Sequence, residues 1–366
     1  MKLGQLQVRP RVLLRWTAGA VAALGVGALL FAWSGIYNVA ASRDHFWITT
    51  AFLELALRSS VRTHSLGIDP PTLDDDHLVA LGAGHFESGC APCHGSPLAV
   101  TTPPFENMLP APPSLSTAAG EWSDAQLFWI VKNGFKYTGM PAWPAIERDD
   151  EVWAVIAFLK RYPELDAQKY GALVRTAGER ENEFALCVRC HGDETVPPSS
   201  RFVPRLAGQS RRYLTVSLDH YAAGARPSGL MEAPAAQLDE STIARVADYY
   251  ASIDAAHRST GADATAPRIA RGRTIATEGV RSDLIPPCLA CHGAEAHELF
   301  PRLAGQNAPY IAGQLRLWQS GLRDASVLGA IMAPIARRLS DAQIDDVAAF
   351  FESAGTELSP GGPVRR

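Results

Sequence analysis

Six cysteines and three histidines of this chain recur in one pattern, Cys-x-x-Cys-His. Two thiols three residues apart lie on one helical turn, where each can add to a vinyl group of the same porphyrin. The histidine that follows can then bind the porphyrin iron through its imidazole. The spacing therefore predicts three covalently attached haem c groups. Their residues are Cys90, Cys93 and His94; Cys187, Cys190 and His191; Cys288, Cys291 and His292.

A single Cys-x-x-Cys pair is also typical of a zinc site or a redox-active dithiol. A dithiol does not need the adjacent histidine, and one zinc site built from two pairs leaves the third motif without a role. Because the motifs account for all six cysteines, none remains for a disulfide, a catalytic thiol or a thiolate ligand of iron. Covalent haem is the interpretation that explains every cysteine.

One methionine follows each motif, and its thioether is a candidate sixth ligand of the iron. Met140 lies 46 residues after the first motif histidine, and Met231 and Met332 each lie 40 residues after the second and third. Methionine is more often a core residue, but this equal spacing favours ligation. Met108 competes with Met140 in the first unit, but it lies in a proline-rich stretch that suits the loop on the histidine side.

The histidines outside the motifs are alternatives that would give bis-histidine haems. His220 is the strongest of them, because it lies between the second motif and Met231. A surface or core role is the default for the whole set. Its members are His45, His64, His77, His85, His220, His257 and His297.

The charge of the chain is unevenly distributed. Four of its 34 basic residues lie at or before Arg15, whereas the first acidic residue is Asp44, so the chain after Arg15 carries 30 basic against 38 acidic residues. An acidic body argues against nucleic acid as a partner and favours docking to a basic patch on another protein. Solvated surface charge without a partner is the alternative.

Residues 16–42 form an uncharged, apolar run of 27 residues. Because about 20 apolar residues cross a bilayer, the run predicts one transmembrane helix. The basic residues before it place the N-terminus in the cytoplasm. We therefore expect a single-pass protein of the bacterial cytoplasmic membrane, with its haem domains in the periplasm. A cleaved signal peptide is the alternative, with Val39-Ala40-Ala41 as the cleavage site.

The rest of the chain divides into an amphipathic stretch, three haem units and a tail. Residues 44–62 predict a helix that lies on the membrane, on a partner's transmembrane helix or on the first unit. Residues 1–42 are predicted to be a basic segment and anchor, and residues 43–71 a juxtamembrane helix and linker. The first, second and third haem units are predicted at residues 72–165, 172–257 and 265–356. Residues 357–366 are predicted to be a disordered tail. Polar linkers are predicted at residues 167–172 and 257–267.

Capping signals predict the helices of the first unit. Asp74 to Asp76 precede a helix that leads to the first motif, with Gly82 and Phe86 on one face. Ser123 and Gln126 predict a capping box for a middle helix that ends at Gly134. A last helix is expected over residues 150–162.

The second and third units repeat each other. Pro204-Arg-Leu-Ala-Gly-Gln209 recurs as Pro301-Arg-Leu-Ala-Gly-Gln306, and the second and third motifs are 101 residues apart, as are Met231 and Met332. Such a repeat indicates internal duplication. Each unit is expected to end in an amphipathic helix, over residues 240–253 and 341–353, the latter capped by Ser340.

Residues 177–354 resemble cytochrome c4, a two-haem periplasmic carrier, in the repeated hexapeptide and in Tyr213 and Tyr310. Residues 72–165 resemble a further class I cytochrome c module, in Trp122-Ser-Asp-Ala-Gln-Leu-Phe-Trp and Thr138-Gly-Met-Pro-Ala-Trp143. The resemblance implies an all-α fold, with three tandem class I cytochrome c domains after one transmembrane helix. It also implies that a proline carbonyl orients each iron-binding imidazole, from Pro204, from Pro301 and from Pro112 or Pro113.

These features predict an electron-transfer protein without a catalytic site. The leading hypothesis is a relay of single electrons between a quinol-oxidising complex or dehydrogenase and a terminal oxidase. The alternative is the electron-exit subunit of a periplasmic dehydrogenase, since a membrane-held tri-haem chain resembles such subunits. A haem enzyme, such as a peroxidase, would need an open iron site, whereas every motif here has a methionine to fill it.

Overall fold

A computed structural model describes residues 10–174, 183–254, 264–293 and 297–355, and their regular structure is helical. Within these ranges there is no β-strand, only two isolated bridges. The predicted all-α class is confirmed. The polar linker predicted at residues 257–267 and the C-terminal tail lie largely or wholly outside the described residues.

The helices follow the predicted order of segments. The N-terminal part contains α1 (Pro10–Trp33) and α2 (Trp47–His64). The first unit contains α3 (Asp76–His85), α4 (Ala91–His94), α5 (Pro103–Glu106), α6 (Leu115–Ala118), α7 (Asp124–Asn133) and α8 (Asp149–Arg161), and is followed by α9 (Ala167–Val174). The second contains α10 (Ala185–His191), α11 (Arg211–Ala222), α12 (Glu232–Ala236) and α13 (Glu240–Ser252). The third contains α14 (Ala266–Glu278), α15 (Leu289–His292), α16 (Ala308–Gln319), α17 (Val327–Ala336) and α18 (Asp341–Ser353).

The apolar run near the N-terminus folds as α1, which ends at Trp33, just before Gly35 takes a left-handed φ of 70°. None of its side chains is buried. The helix is long and apolar enough to cross a membrane. A helix with these properties is typical of a membrane anchor and of a signal sequence alike.

Helix α2 packs on the first unit by its C-terminal half. Val61 is fully buried there, and Arg58 forms ion pairs with Glu54 at 3.3 Å and with Glu121 at 3.1 Å. The apolar side chains of its N-terminal half remain at least 62% exposed: Trp47, Ile48, Phe52 and Leu55. The helix is therefore fixed to the first unit at one end and presents an apolar surface at the other.

Glycine lets the first and last helices of the first unit cross closely. A Cβ at Gly82 on α3 would lie 1.9 Å from the carbonyl oxygen of Ala154 on α8. Phe86, one turn later, is fully buried and packs on Phe158 with ring centroids 5.0 Å apart. The third unit repeats this crossing at Gly272. A Cβ there would lie 2.0 Å from the carbonyl oxygen of a residue in α18.

The predicted helix starts in the first and third units are confirmed. Asp75 caps α3 by accepting a hydrogen bond from the backbone N–H of His77 at 2.8 Å. Ser123 forms a capping box at α7, which ends at Gly134. Ser340 forms the same box at α18.

The prediction of a polar linker at residues 167–172 is wrong, because these residues form part of α9. Tyr170 is fully buried in the core of the first unit, with its ring centroid 6.2 Å from that of Phe86. Its hydroxyl donates a hydrogen bond to Glu87. Burial of one large aromatic side chain therefore docks a polar stretch on the preceding unit.

Buried apolar residues form three separate clusters, one in each unit. The second and third units join through their repeated hexapeptides. Arg205 N–H donates to Gln306 Oε1 at 2.9 Å, and Gln306 Nε2 donates to the Arg205 carbonyl at 3.0 Å. The reciprocal pair, Arg302 and Gln209, makes the same two bonds at 3.0 and 2.7 Å. This contact has local two-fold symmetry, which follows from the sequence repeat.

Candidate functional site

One cavity of about 1550 Å³ runs through all three units. Every residue of the three motifs that the sequence assigns to haem lines it, and so do Met140, Met231 and Met332. The thiols of the six cysteines form no disulfide. In the part of the chain that the structure describes, no three His, Cys, Asp or Glu side chains converge as a metal site would require. The motifs are therefore arranged along a shared, mainly apolar space.

Each motif histidine is oriented by a proline carbonyl of its own unit. The Nδ1 atom of His94 lies 2.8 Å from the carbonyl oxygen of Pro113, and the equivalent distances to Pro204 and Pro301 are 3.0 and 2.9 Å. A carbonyl only accepts, so Nδ1 carries the proton and Nε2 keeps its lone pair. The structure thus selects Pro113 over Pro112 and leaves each Nε2 available to bind iron.

The three methionines occupy different local structures. Met140 lies in a turn where its backbone N–H donates to the Thr138 hydroxyl at 3.1 Å. Met231 is the residue before α12, and Met332 lies within α17. Met108 also lines the cavity, and its Cε would lie 1.9 Å from a Cβ placed on Gly139. Met108 therefore contacts the turn that holds Met140. The prolines that follow Met108 in the sequence lie instead on the side of the cavity where His94 lies.

Two of the other histidines, His85 and His220, line the cavity. His45, His64, His77 and His297 do not, and His257 lies outside the described residues.

In each unit, one residue that lines the cavity has a buried polar atom without a hydrogen-bond partner. Among the residues that the structure describes, these atoms are His85 Nε2, Tyr250 Oη and Trp318 Nε1.

Two arginines in the cavity lack a counter-charge. Arg226 of the second unit is buried and lies beside Arg323 of the third, since both donate to Gln314 Oε1, at 3.0 and 2.6 Å. No carboxylate among the described residues forms an ion pair with either arginine. Burial and the charge of Arg226 lower the pKa of Arg323 to about 10. The pair fits an anionic group, such as the propionates of haem.

Sequence reasoning missed Arg226 and Arg323, although the two positions correspond in the internal repeat. They lie 97 residues apart, which is the offset of the two hexapeptides and of Tyr213 and Tyr310, and this shared offset was the signal that could have found them. Sequence reasoning also missed Glu151, which is buried although most residues around it in the sequence are charged or polar. Only the fold brings these groups to the cavity or to a contact between units.

Three comparisons place the chain among known proteins. Residues 77–159 match the family described as cytochrome c oxidase, cbb3-type, subunit III. The chain is 36% identical over 184 residues to the thiosulfate dehydrogenase electron acceptor of Thiomonas intermedia, and the alignment covers 49% of this chain and 82% of that protein. It is 30% identical over 187 residues to cytochrome c4 of Pseudomonas aeruginosa, covering 49% and 90%. A solved structure of cytochrome c4 from Acidithiobacillus ferrooxidans is 33% identical, covers 46% of this chain and 97% of that chain, and has a TM-score of 0.42.

Proposed function

The chain belongs to the cytochrome c4-like c-type cytochromes, and on that premise we propose that it is a tri-haem electron carrier held at the outer face of the cytoplasmic membrane. As a cytochrome c it is an electron-transfer protein that binds haem c covalently. The observation that supports three haem groups is the shared cavity, lined by three complete Cys-x-x-Cys-His motifs and one candidate methionine for each.

Each proposed site takes its residues from one unit. The six cysteines hold the porphyrins, and the six iron ligands are His94 and Met140, His191 and Met231, His292 and Met332. When bound, haem c supplies a one-electron ferric/ferrous couple, whose potential a methionine ligand raises relative to a second imidazole. Arg226 and Arg323 bind propionate carboxylates between the second and third units.

We propose that residues 72–165, 172–257 and 265–356 are three class I cytochrome c domains. The three separate clusters of buried residues support this division. Because α9 packs on the first cluster, residues 167–174 belong with the first domain, so the second domain begins after Val174 and not at residue 172.

We propose that the protein carries electrons from a quinol-oxidising complex or a dehydrogenase to a terminal oxidase. The match of the first unit to a subunit of cbb3-type oxidases favours the oxidase side. The second candidate is the electron-exit subunit of a periplasmic dehydrogenase. Relatives named as electron acceptors of thiosulfate dehydrogenase favour it, and make that enzyme the first donor to test.

The test of partners is purification of the tagged, full-length protein from native membranes in mild detergent, with mass spectrometry of the proteins that remain bound. Oxidase subunits would support the relay to oxygen reduction, and a dehydrogenase would support the exit subunit. Reduction of the purified protein by thiosulfate dehydrogenase and thiosulfate, compared with thiosulfate alone, would then test the donor directly.

Carbon monoxide separates electron transfer from catalysis. Three complete histidine–methionine sites leave no open iron, so the reduced native protein is expected to bind no carbon monoxide. Stoichiometric binding to one haem would instead support an enzyme with an open site.

A further inference from the structure

The first and second units meet at a buried carboxylate. Glu151, near the start of α8, is 3% exposed, and its two oxygens accept three hydrogen bonds and form one ion pair. Oε1 accepts from Ser228 Oγ at 2.6 Å and pairs with Arg148 Nη1 at 3.0 Å. Oε2 accepts from Trp143 Nε1 at 3.1 Å and from the backbone N–H of Gly229 at 2.7 Å. Two of the four partners come from each unit, so this one side chain joins them.

The second unit contributes the loop that leads to Met231. The hydroxyl of Ser228 donates to Glu151 and accepts from the backbone N–H of Met231 at 3.3 Å. The carbonyl oxygen of Pro227, one residue earlier, accepts from Arg148 at 2.7 Å. The amide of Met231 is therefore only one hydroxyl group away from a carboxylate of the first unit.

Packing supports the same contact. A Cβ at Gly229 would lie 2.3 Å from the indole nitrogen of Trp143, so the loop touches this ring directly. Trp143 follows Met140 by three residues in the sequence. The methionine loops of the first and second units are thus in contact, through one indole ring and one glycine.

Glu151 is the acceptor in all three of its hydrogen bonds, and its Oε1 also pairs with Arg148. An ionised carboxylate accepts on both oxygens, whereas a protonated carboxyl would turn one oxygen into a donor. Burial raises the pKa of Glu151, and the nearby Arg148 opposes that rise. A buried carboxylate held by three hydrogen bonds and an ion pair has little freedom to move, which makes it a rigid support for the loop.

The third unit holds its methionine loop differently. Ser326 accepts from the backbone N–H of Gly329 at 2.9 Å, within the same turn that starts α17. Among the described residues, no hydrogen bond joins the first unit to this loop. The chain therefore contains its own comparison: the loop of Met231 is held from another unit, whereas that of Met332 is held from within.

We propose that Glu151 of the first unit is a positioning residue for Met231 of the second, so that methionine ligation of the second haem depends on docking of the first unit. The inference rests on the proposed function, in which Met231 is the sixth ligand. The first unit would then hold its own haem and also influence the ligation and reduction potential of the second haem.

The experiment uses the full-length protein loaded with haem. Met231→His first identifies the second haem, because replacing a thioether with an imidazole lowers the potential of that haem alone. Glu151→Gln and Ser228→Ala are then compared with the parent by redox titration. Absorption in the charge-transfer band of methionine-ligated ferric haem is measured in parallel. Glu147→Gln, an exposed carboxylate four residues before Glu151, is the matched control.

Both variants are expected to lose one haem's share of the charge-transfer band and to lower the potential of the component that Met231→His identifies. The other two components keep their potentials. The double variant should do no more than either single change, because both remove the same support. Ser326→Ala should affect the third haem instead.

An unchanged band and unchanged potentials in Glu151→Gln and Ser228→Ala would overturn the inference while leaving Met231 as the ligand. If Met231→His changes the reduction potential of none of the three haems, Met231 is not a ligand, and the inference is then wrong as well. Ser228→Ala removes a single oxygen atom, so it decides the question even if Glu151→Gln fails to fold.

Discussion

At the scale of single residues, the site consists of groups whose orientation is set by one neighbour each. A proline carbonyl fixes each imidazole, and a hydroxyl fixes the amide of Met140. Such contacts select the tautomer and the direction of a side chain without contributing much to stability. Substitutions here are therefore expected to change spectra and potentials more than folding.

The choice between Met140 and Met108 can be tested at this scale. Met140→Ala is expected to remove one haem's share of the methionine charge-transfer band and to open that iron to carbon monoxide, because no thioether then fills the sixth position. Met108→Ala is the matched control and should keep the band. The reverse pattern, measured on the purified protein, would assign the ligand to Met108.

His85 predicts a dependence of stability on pH. Burial, together with the charge of Arg148, lowers its pKa to about 3, against about 6.5 in an unfolded chain. As the pH falls, the unfolded state takes up the proton first, so the free energy of unfolding declines between about pH 6.5 and about pH 3. His85→Gln should reduce this decline by up to about 3 kcal/mol at about pH 4. Denaturant unfolding near neutral and at about pH 4 measures the effect.

The exposed His77 on the same helix provides the control, and His77→Gln should leave the pH dependence of the parent unchanged. An identical decline in the parent and in His85→Gln would show that His85 titrates in the folded protein as it does in the unfolded chain.

At the scale of elements, the first and last helices of a unit are held together by glycine. A methyl group at Gly272 would lie 2.0 Å from the carbonyl oxygen of Asp346, whereas at Gly171 on α9, away from the cavity, it would make an ordinary contact with Leu98 Cδ2 at 3.9 Å. Gly272→Ala is therefore expected to destabilise the third unit by about 1–3 kcal/mol through overpacking. Gly171→Ala should stabilise α9 by up to about 1 kcal/mol. Thermal unfolding of both variants tests the crossing, and equal effects would contradict it.

The paired hexapeptides allow a second test at this scale. Gln306 is buried and satisfies the backbone N–H and carbonyl of Arg205 across the contact. Gln306→Ala leaves both groups unpaired, at a cost of about 1–3 kcal/mol for each buried group. We expect a lower denaturation midpoint. We also expect a shift in the reduction potential of the second haem, because Arg205 follows Pro204, whose carbonyl orients His191. Gln168→Ala, at an exposed position, should change neither.

At the scale of the whole molecule, the second unit lies between the other two. It contacts the first through Glu151 and Ser228 and the third through the hexapeptides. Among the described residues, no hydrogen bond connects the first unit to the third. This arrangement favours a linear order in which electrons that pass between the outer units cross the middle one.

Retention of α1 is a property of the whole molecule that can be measured directly. If α1 is an anchor, the protein stays in the membrane after an alkaline wash, because burial of 24 mostly apolar residues holds it there. Mass spectrometry of the intact protein should then find the N-terminal residues. A mature chain that begins near residue 42 and is released from the periplasm would identify a cleaved signal peptide.

Features that depend on neighbours in the sequence were readable from it. The haem motifs, the capping boxes at Ser123 and Ser340 and the glycine of the α3–α8 crossing depend on spacings within a few helical turns. The hexapeptide repeat was visible as well, although its role as the joint between two units was not. The all-α class was implied by the resemblance to class I cytochromes c.

Other features appeared only in the tertiary structure. Residues 167–172 were predicted as a polar linker, yet α9 forms because Tyr170 fills a space in the core of the preceding unit. Glu151 and Ser228 are separated by 77 positions, and Arg226 and Gln314 by 88. No helical period relates such distant residues, so only the packing of one unit on another decides that they meet. The sequence alone thus determined where the three Cys-x-x-Cys-His motifs lie, and the tertiary structure decided which unit supports the surroundings of each motif and its candidate methionine.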